Sequence, residues 1–255
     1  MKVSIPTVLK LLSDLGAACA QFHDATVHGL QSRRLQCDET WQFCYSKMKN
    51  VPEDKQGVFG YGDVWTWVVI DADSKLVVSY LIGPRTPPMA YEIMKDAAAR
   101  VNGRVQMSTD GLYWYVDAVD HAFGTDVDYG VIKKHYAGDG SGSGRYSPAR
   151  FVSSTKEVLL GEPDPRHIST SYIERQNLTM RMCMRRFTRL TNGFSKKVEN
   201  HAAAVALHYV YYNFARVHQT LRVTPAMQAG LADHVWSICE IVALLEKAEQ
   251  PELAA

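Results

Sequence analysis

The sequence predicts an α/β fold, a mixed sheet flanked by helices, with helical additions at both ends. Three observations carry that expectation. Two strongly apolar runs, Val64 to Ile70 and Leu76 to Ile82, flank the turn-forming stretch Asp71-Ala72-Asp73-Ser74-Lys75 and read as a hairpin. A helical pattern opens at Pro87-Pro88, stops at Gly103 and leads into another short run, Arg104 to Thr109. From about residue 169 the chain then reads as helical nearly to its end.

Taken in order, residues 4 to 30 read as a helix. Ser4 is the N-cap, Pro6 sits in the first turn, and apolar positions recur at Val8, Leu11, Leu12, Leu15, Cys19 and Phe22. Arg33 to Cys44 alternates and carries aromatics, as a strand does, and Lys47 to Asp63 is a polar, glycine-bearing loop. The two hairpin strands follow, then the helix through Asn102 and the strand ending at Thr109. A short helix (Tyr113 to Phe123) and a strand (Tyr129 to Lys134) come next. Residues 137 to 147 form a glycine-serine loop, and no long regular element is legible from there to Pro165. Helices are expected at about 169 to 190, 195 to 215, briefly after Thr224-Pro225, and at 233 to 248. Three strands joined by short links, then a crossover helix and a fourth strand, is the opening order of the ribonuclease H-like fold. The division expected is a helical segment at 1–30, an α/β core at 31–232, and a C-terminal helix and tail at 233–255.

No apolar run approaches the ~18 residues of a membrane-spanning helix. MKVSIPTVLKLLSDLG lacks a signal peptide's apolar segment and cleavage site, so a cytoplasmic protein is expected. The five cysteines are odd in number, far apart and without a C-x-x-C pair, which argues against a disulfide framework and a Cys-type zinc site and for buried reduced thiols. A net charge of +1 conceals a local asymmetry. Between Ser169 and Asn200, seven basic residues (Arg175, Arg181, Arg185, Arg186, Arg189, Lys196, Lys197) face two acids, Glu174 and Glu199. A basic face of this kind suits a protein that grips phosphates.

The acids that matter fall at strand and helix ends. Asp38 shares a strand face with Gln36 and Thr40, opposite Cys37 and Glu39. Asp110 ends the fourth strand, and Glu174 lies near the start of a helix. In a ribonuclease H-like sheet the first and fourth strands are neighbours, so the two aspartates can meet there and the helix can bring Glu174 over them. Three clustered carboxylates repel one another unless a cation intervenes. Hard oxygen donors suit two Mg²⁺ ions, with Mn²⁺ as a substitute, and such pairs serve phosphodiester chemistry. Asn177 and Arg181, at i+3 and i+7 from Glu174, extend the same helix face towards DNA. Asp71 and Asp73 are read as turn formers and Glu39 as structural.

CDETW, STDG and SYIERQNLTMR, followed by YYNFARVHQTLRVTPA, resemble the DDE transposases of bacterial insertion sequences, in particular the single-frame relatives of the first-described insertion sequence. The resemblance runs from about Arg33 to Leu231. It implies a retroviral-integrase-like core in which Asp38, Asp110 and Glu174 are the catalytic, metal-binding triad. It implies an enzyme that cuts transposon ends and joins their 3′-hydroxyls to target DNA without a covalent enzyme intermediate. Double-stranded DNA and a second copy of the chain, in a synaptic dimer or larger assembly, are the partners implied, in a nucleoid-associated bacterial protein. Arg175, Asn177, Arg181, Arg185, Lys196, Lys197, Arg216 and His218 are the DNA-contact candidates; Asn213 is assigned to organising the core or DNA, and His167 is an auxiliary candidate. The 64 residues between Asp110 and Glu174 exceed the spacing of retroviral integrases. Fuller family members carry a cysteine zinc motif and a helix-turn-helix ahead of the core, of which the stretch 4 to 15 is the candidate remnant. A same-fold nuclease and an inactive DNA-binding remnant are the alternative readings.

Overall fold

The computed structural model describes residues 3–137, 150–187 and 192–249. Residues 138–147 of the expected glycine-serine loop, Arg189 and the 250–255 tail lie outside the described residues. Six strands make one sheet: β1 (Arg34–Cys44), β2 (Gly62–Asp71), β3 (Val77–Gly83), β4 (Val105–Thr109), β5 (Val127–Ala137) and β6 (Arg150–Leu160). Their spatial order is β3-β2-β1-β4-β5-β6. The β1–β2–β3 meander is antiparallel, β4 and β5 add in parallel, and β6 returns antiparallel to β5. The sheet is therefore the ribonuclease H-like one that the order of elements predicts.

Period-two alternation builds two cores, one on each face. Leu35, Cys37, Trp67 and Val69 pack on one side with residues of α1 (Ile5–Thr26), α2 (Pro87–Arg100) and α3 (Trp114–Phe123). Val68, Ile70 and Val77 pack on the other, against Ile173 and Met180 of α4 (Ser171–Cys183) and Val205 and Tyr209 of α5 (Val198–Val210). The hairpin turn behaves as expected. Asp71 accepts from the hydroxyls of Ser32 (3.2 Å) and Ser74 (2.8 Å) and from the Asp73 backbone N–H (2.9 Å), while Asp73 pairs with Arg34.

The two terminal segments are built onto the same core over their described residues. Ser4 caps α1 by accepting from the Thr7 N–H, and Leu15 and Cys19 share a core with Ile241 of α7 (Ile238–Val242) and Leu244 of α8 (Leu244–Glu249). Residues 5 to 15 of the stretch 4 to 15 belong to this one 22-residue helix, with Ser4 as its cap.

Four expectations are corrected. The region before Pro165 contains β6, whose residues are exposed along most of its length. An edge strand with no helix over it shows no buried-polar alternation, and that is the signal by which strands are read. α4 stops at Cys183, short of residue 190, because Phe187 is drawn into the core beside His201. The next helix starts at Val198 and loosens into a π-helical turn, Tyr211–Ala215. Within that turn the buried Asn213 amide accepts from the Val77 N–H and donates to its carbonyl, both at 2.9 Å, so it organises the β3 edge. The C-terminal helix begins at 238, where Ser237 and Glu240 form a capping box. Thr224 likewise caps the short α6 (Pro225–Gln228).

α1 lies along α5 at a glycine. A Cβ on Gly16 would stand 2.4 Å from the Ala203 Cα, closer than helices tolerate. Gly16→Ala is expected to lower the unfolding free energy by about 1–3 kcal/mol, the usual penalty of overpacking, as read by urea denaturation.

Candidate active site

The site begins with the way β1 and β4 part. Their parallel register pairs Gln36 with Ser108, and β4 ends at Thr109 while β1 continues beside β2 to Cys44. Two further residues along that register bring Asp110 level with Asp38, where the sheet divides. The Asp110 carboxylate is held by the N–H of Leu112 (2.9 Å).

α4 is fastened across this point by two side chains on the same β1 face. Gln36 Oε1 accepts from the N–H groups of Tyr172 (2.9 Å) and Ile173 (3.1 Å), which as first-turn donors have no partner within the helix. Two residues further along β1, Asp38 Oδ2 accepts from Asn177 Nδ2 at 2.8 Å. Glu174 lies between these anchors. Its carboxylate accepts from the Thr170 hydroxyl and pairs with the ammonium of Lys134 on β5.

Asp38, Asp110, Thr170, Glu174, Arg85 and Lys134 thus line one open cleft of about 590 Å³. The carboxylates feel one another. Burial, then the charges of Glu39, Asp110 and Glu174, push Asp38 up to about 7. Glu39 points to the other sheet face, as its place in the strand predicts; there it accepts from the Tyr115 hydroxyl (2.8 Å) and Arg85 Nε (2.7 Å). Burial, followed by Asp110, raises its proton affinity too.

No group of three or more His, Cys, Asp or Glu side chains among the described residues is drawn together closely enough to hold a metal ion as it stands. Glu174 is turned towards the Lys134 ammonium. The donor set nonetheless fits a hard divalent cation. It offers three carboxylates at one cleft, and burial, followed by the neighbouring acids, raises the proton affinity of one of them, Asp38.

Two site expectations are corrected. Asn177 is buried and bonded to Asp38, so it positions a carboxylate instead of facing DNA. His167 lines a separate hollow with Arg33, Arg34, Asp73 and Gln106, its Nδ1 3.4 Å from Asp164 Oδ2, so it does not join the triad. The buried Ile168 lies along the chain between it and the cleft-lining Thr170.

The remaining basic candidates occupy two places. Arg175, Arg216 and His218 line a hollow beside Lys75. Arg185, Lys196 and Lys197 are exposed near the far end of β1, where Ser195 bridges to Cys44 and Gly193 lies against Arg185. Arg181 is half-buried between them in sequence. Lys134 and Thr170 are not among the site candidates read from the sequence. The signal for Lys134 was its position on β5, two residues from Ile132 on one face and next to the Asp110-bearing strand.

No protein-family model matches the chain, and no curated protein matches it. Fourteen chains of solved structures do. One belongs to the simian T-cell lymphotropic virus intasome in complex with PP2A regulatory subunit B56 gamma, at 14% identity and TM-score 0.46, covering 83% of this chain and 59% of that one. Another belongs to the piggyBac transposase synaptic complex with hairpin DNA, at 11% identity and TM-score 0.35, covering 88% and 55%. The chain therefore spans less than two thirds of the length of either. No helix among the described residues is long and apolar enough to cross a membrane.

Asp38 holds its proton to higher pH in the folded protein than in the unfolded chain. Its ionisation therefore opposes folding, with no cost below about pH 4 and the full cost above about pH 7. Asp38→Asn is expected to stabilise the protein by about 1–3 kcal/mol at pH 8 in chelator and to change nothing near pH 3.5, measured by denaturant unfolding at both pH values.

Proposed function

We propose that the chain is the catalytic part of an insertion-sequence transposase, which cuts transposon ends and joins their 3′-hydroxyls to target DNA. One observation carries the reading: Asp38, Asp110 and Glu174, far apart in sequence, line a single cleft at the dividing point of a ribonuclease H-like sheet. The motifs surrounding those three residues support it.

In this reading the three carboxylates would hold Mg²⁺, and bound ions would supply an activated attacking oxygen and charge neutralisation at the leaving oxygen. The chain's own groups arrange that donor set. Asn177 fixes the Asp38 carboxylate, the Leu112 N–H fixes Asp110, and Thr170 holds Glu174. Lys134 neutralises Glu174, and a bound cation would take its place beside that carboxylate. Arg85, reaching the cleft from the β3–α2 link, is placed to meet DNA phosphate while it anchors Glu39. The exposed Arg185, Lys196 and Lys197 supply further phosphate contacts. Two ends must be processed together, so the working form contains at least two copies.

The test is incubation of the protein with a transposon-end duplex, a target plasmid and Mg²⁺. Joined products are expected; cleavage without joining would indicate a nuclease, and binding alone a non-catalytic DNA-binding protein. Asp110→Ala should abolish the chemistry and leave DNA binding largely intact, and retained cutting would remove the triad from this role. Asn177→Ala is expected to slow joining about 10–100-fold, as loss of a ligand-orienting group does. Affinity for the duplex should fall steeply between 50 and 200 mM salt, about 10³-fold if six phosphates are gripped, read by fluorescence anisotropy.

A further inference from the structure

On the other side of α4 from the carboxylates lies a hollow of about 310 Å³, formed with the Lys75 turn and the 216–220 segment. Its cations are Lys75, Arg175 and Arg216, joined by the His218 imidazole, with no acid among the described lining residues. The nearby acids lie outside the lining, Asp73 bonded to Arg34 and Asp71 to Ser32 and Ser74, and their charges act on Lys75. Burial, and then the charges of Lys75, Arg216 and Arg175, hold the His218 imidazole below its usual range. The positive charge of Arg175 and Arg216 meets no acid among the described lining residues.

A second feature points to what the anion is attached to. Gln176 lines the same hollow, is only 2% exposed, and neither its amide nitrogen nor its carbonyl oxygen has a hydrogen-bond partner in the protein. Buried amides left unpaired at both ends are rare in folded proteins. A phosphodiester would satisfy the cations and the amide N–H, but it has no donor for the carbonyl. A nucleobase edge presents a donor and an acceptor side by side, the pattern that a glutamine amide pairs with bidentately. Tyr172 adds an aromatic wall, with the Lys75 ammonium 3.2 Å from its ring centroid. The volume is at the small end of ligand sites, roughly 300 Å³ and upward, and excludes a duplex.

We propose that this hollow binds one unpaired nucleotide, its phosphate on Arg175, Arg216 and Lys75 and its base edge on the Gln176 amide. That the nucleotide belongs to a DNA strand held in the neighbouring cleft rests on the function proposed above. α4 is the wall shared by the two sites, with Thr170 and Glu174 on one and Tyr172, Arg175 and Gln176 on the other.

The probes are the four deoxynucleoside 5′-monophosphates and inorganic phosphate, titrated calorimetrically into the full chain in chelator. At least one nucleotide is expected to bind about tenfold or more tightly than inorganic phosphate. Gln176→Met should erase that preference and leave inorganic phosphate binding within about twofold. Arg175→Ala, on the exposed side of α4, should weaken both about tenfold. Equal affinity for phosphate and nucleotides, a preference that survives Gln176→Met, or no binding at all would overturn the proposal. Should Gln176→Met fail to fold by circular dichroism, nuclear Overhauser contacts between base protons and the Tyr172 ring decide instead; they are expected, and their absence sinks the base-reading role. The titration needs neither metal nor strand joining. Joining without nucleotide binding would remove the hollow and leave the transposase, and the reverse result would remove the transposase and leave the hollow.

Discussion

The attachment of α4 to β1 is the constraint on which the cleft depends. Gln36 and Asp38 lie on one face of the strand, and each bonds to the helix, one at its first turn and the other through Asn177. Gln36 satisfies backbone donors that the helix cannot satisfy itself, so the helix start is fixed in place as well as capped. With both ends of the interval from Tyr172 to Asn177 fixed, Glu174 has little choice of position. Beneath it, Ile173 and Met180 bury into the second core, so apolar packing and polar anchoring select the same placement.

The electrostatics work in the opposite direction. Burying Asp38 near Glu39, Asp110 and Glu174 costs folding free energy at neutral pH. Two of these acids have local cations, Glu39 with Arg85 and Glu174 with Lys134, but the partner of Asp38 is a neutral amide. Perturbed carboxylates of this kind are commonest at functional sites, where local rules of stability are broken.

Much of this was legible in the sequence. Alternation in β1 assigned Asp38 and Glu39 to opposite faces, and the helix crossover before β4 brought Asp110 alongside Asp38. What could not be read was whatever depends on partners distant in sequence. Asn177 looked like one more polar group on a basic helix, because nothing local shows that Asp38 lies 2.8 Å away. His167 is near Glu174 in sequence, yet the chain sends the two into different hollows. β6 was invisible for another reason. A strand paired on one side and exposed on both faces carries no pattern of burial to detect, and its main chain bonds with β5 do not constrain its side chains.

β5 and β6 also differ from the rest of the sheet in how far they are supported. β5 pairs with β4 only from Val127 to Val131, and beyond that its one partner is β6. Lys134 therefore sits on a two-stranded ribbon, whereas Glu174 sits on a helix bolted to the centre of the molecule. Two-stranded ribbons are weak by themselves and twist freely. The contact between Lys134 and Glu174 joins a helix anchored to the centre of the sheet to a ribbon paired on one side. Beyond Val131, the described residues of β5 add nothing buried to either hydrophobic core, so the wall that carries Lys134 stands outside both.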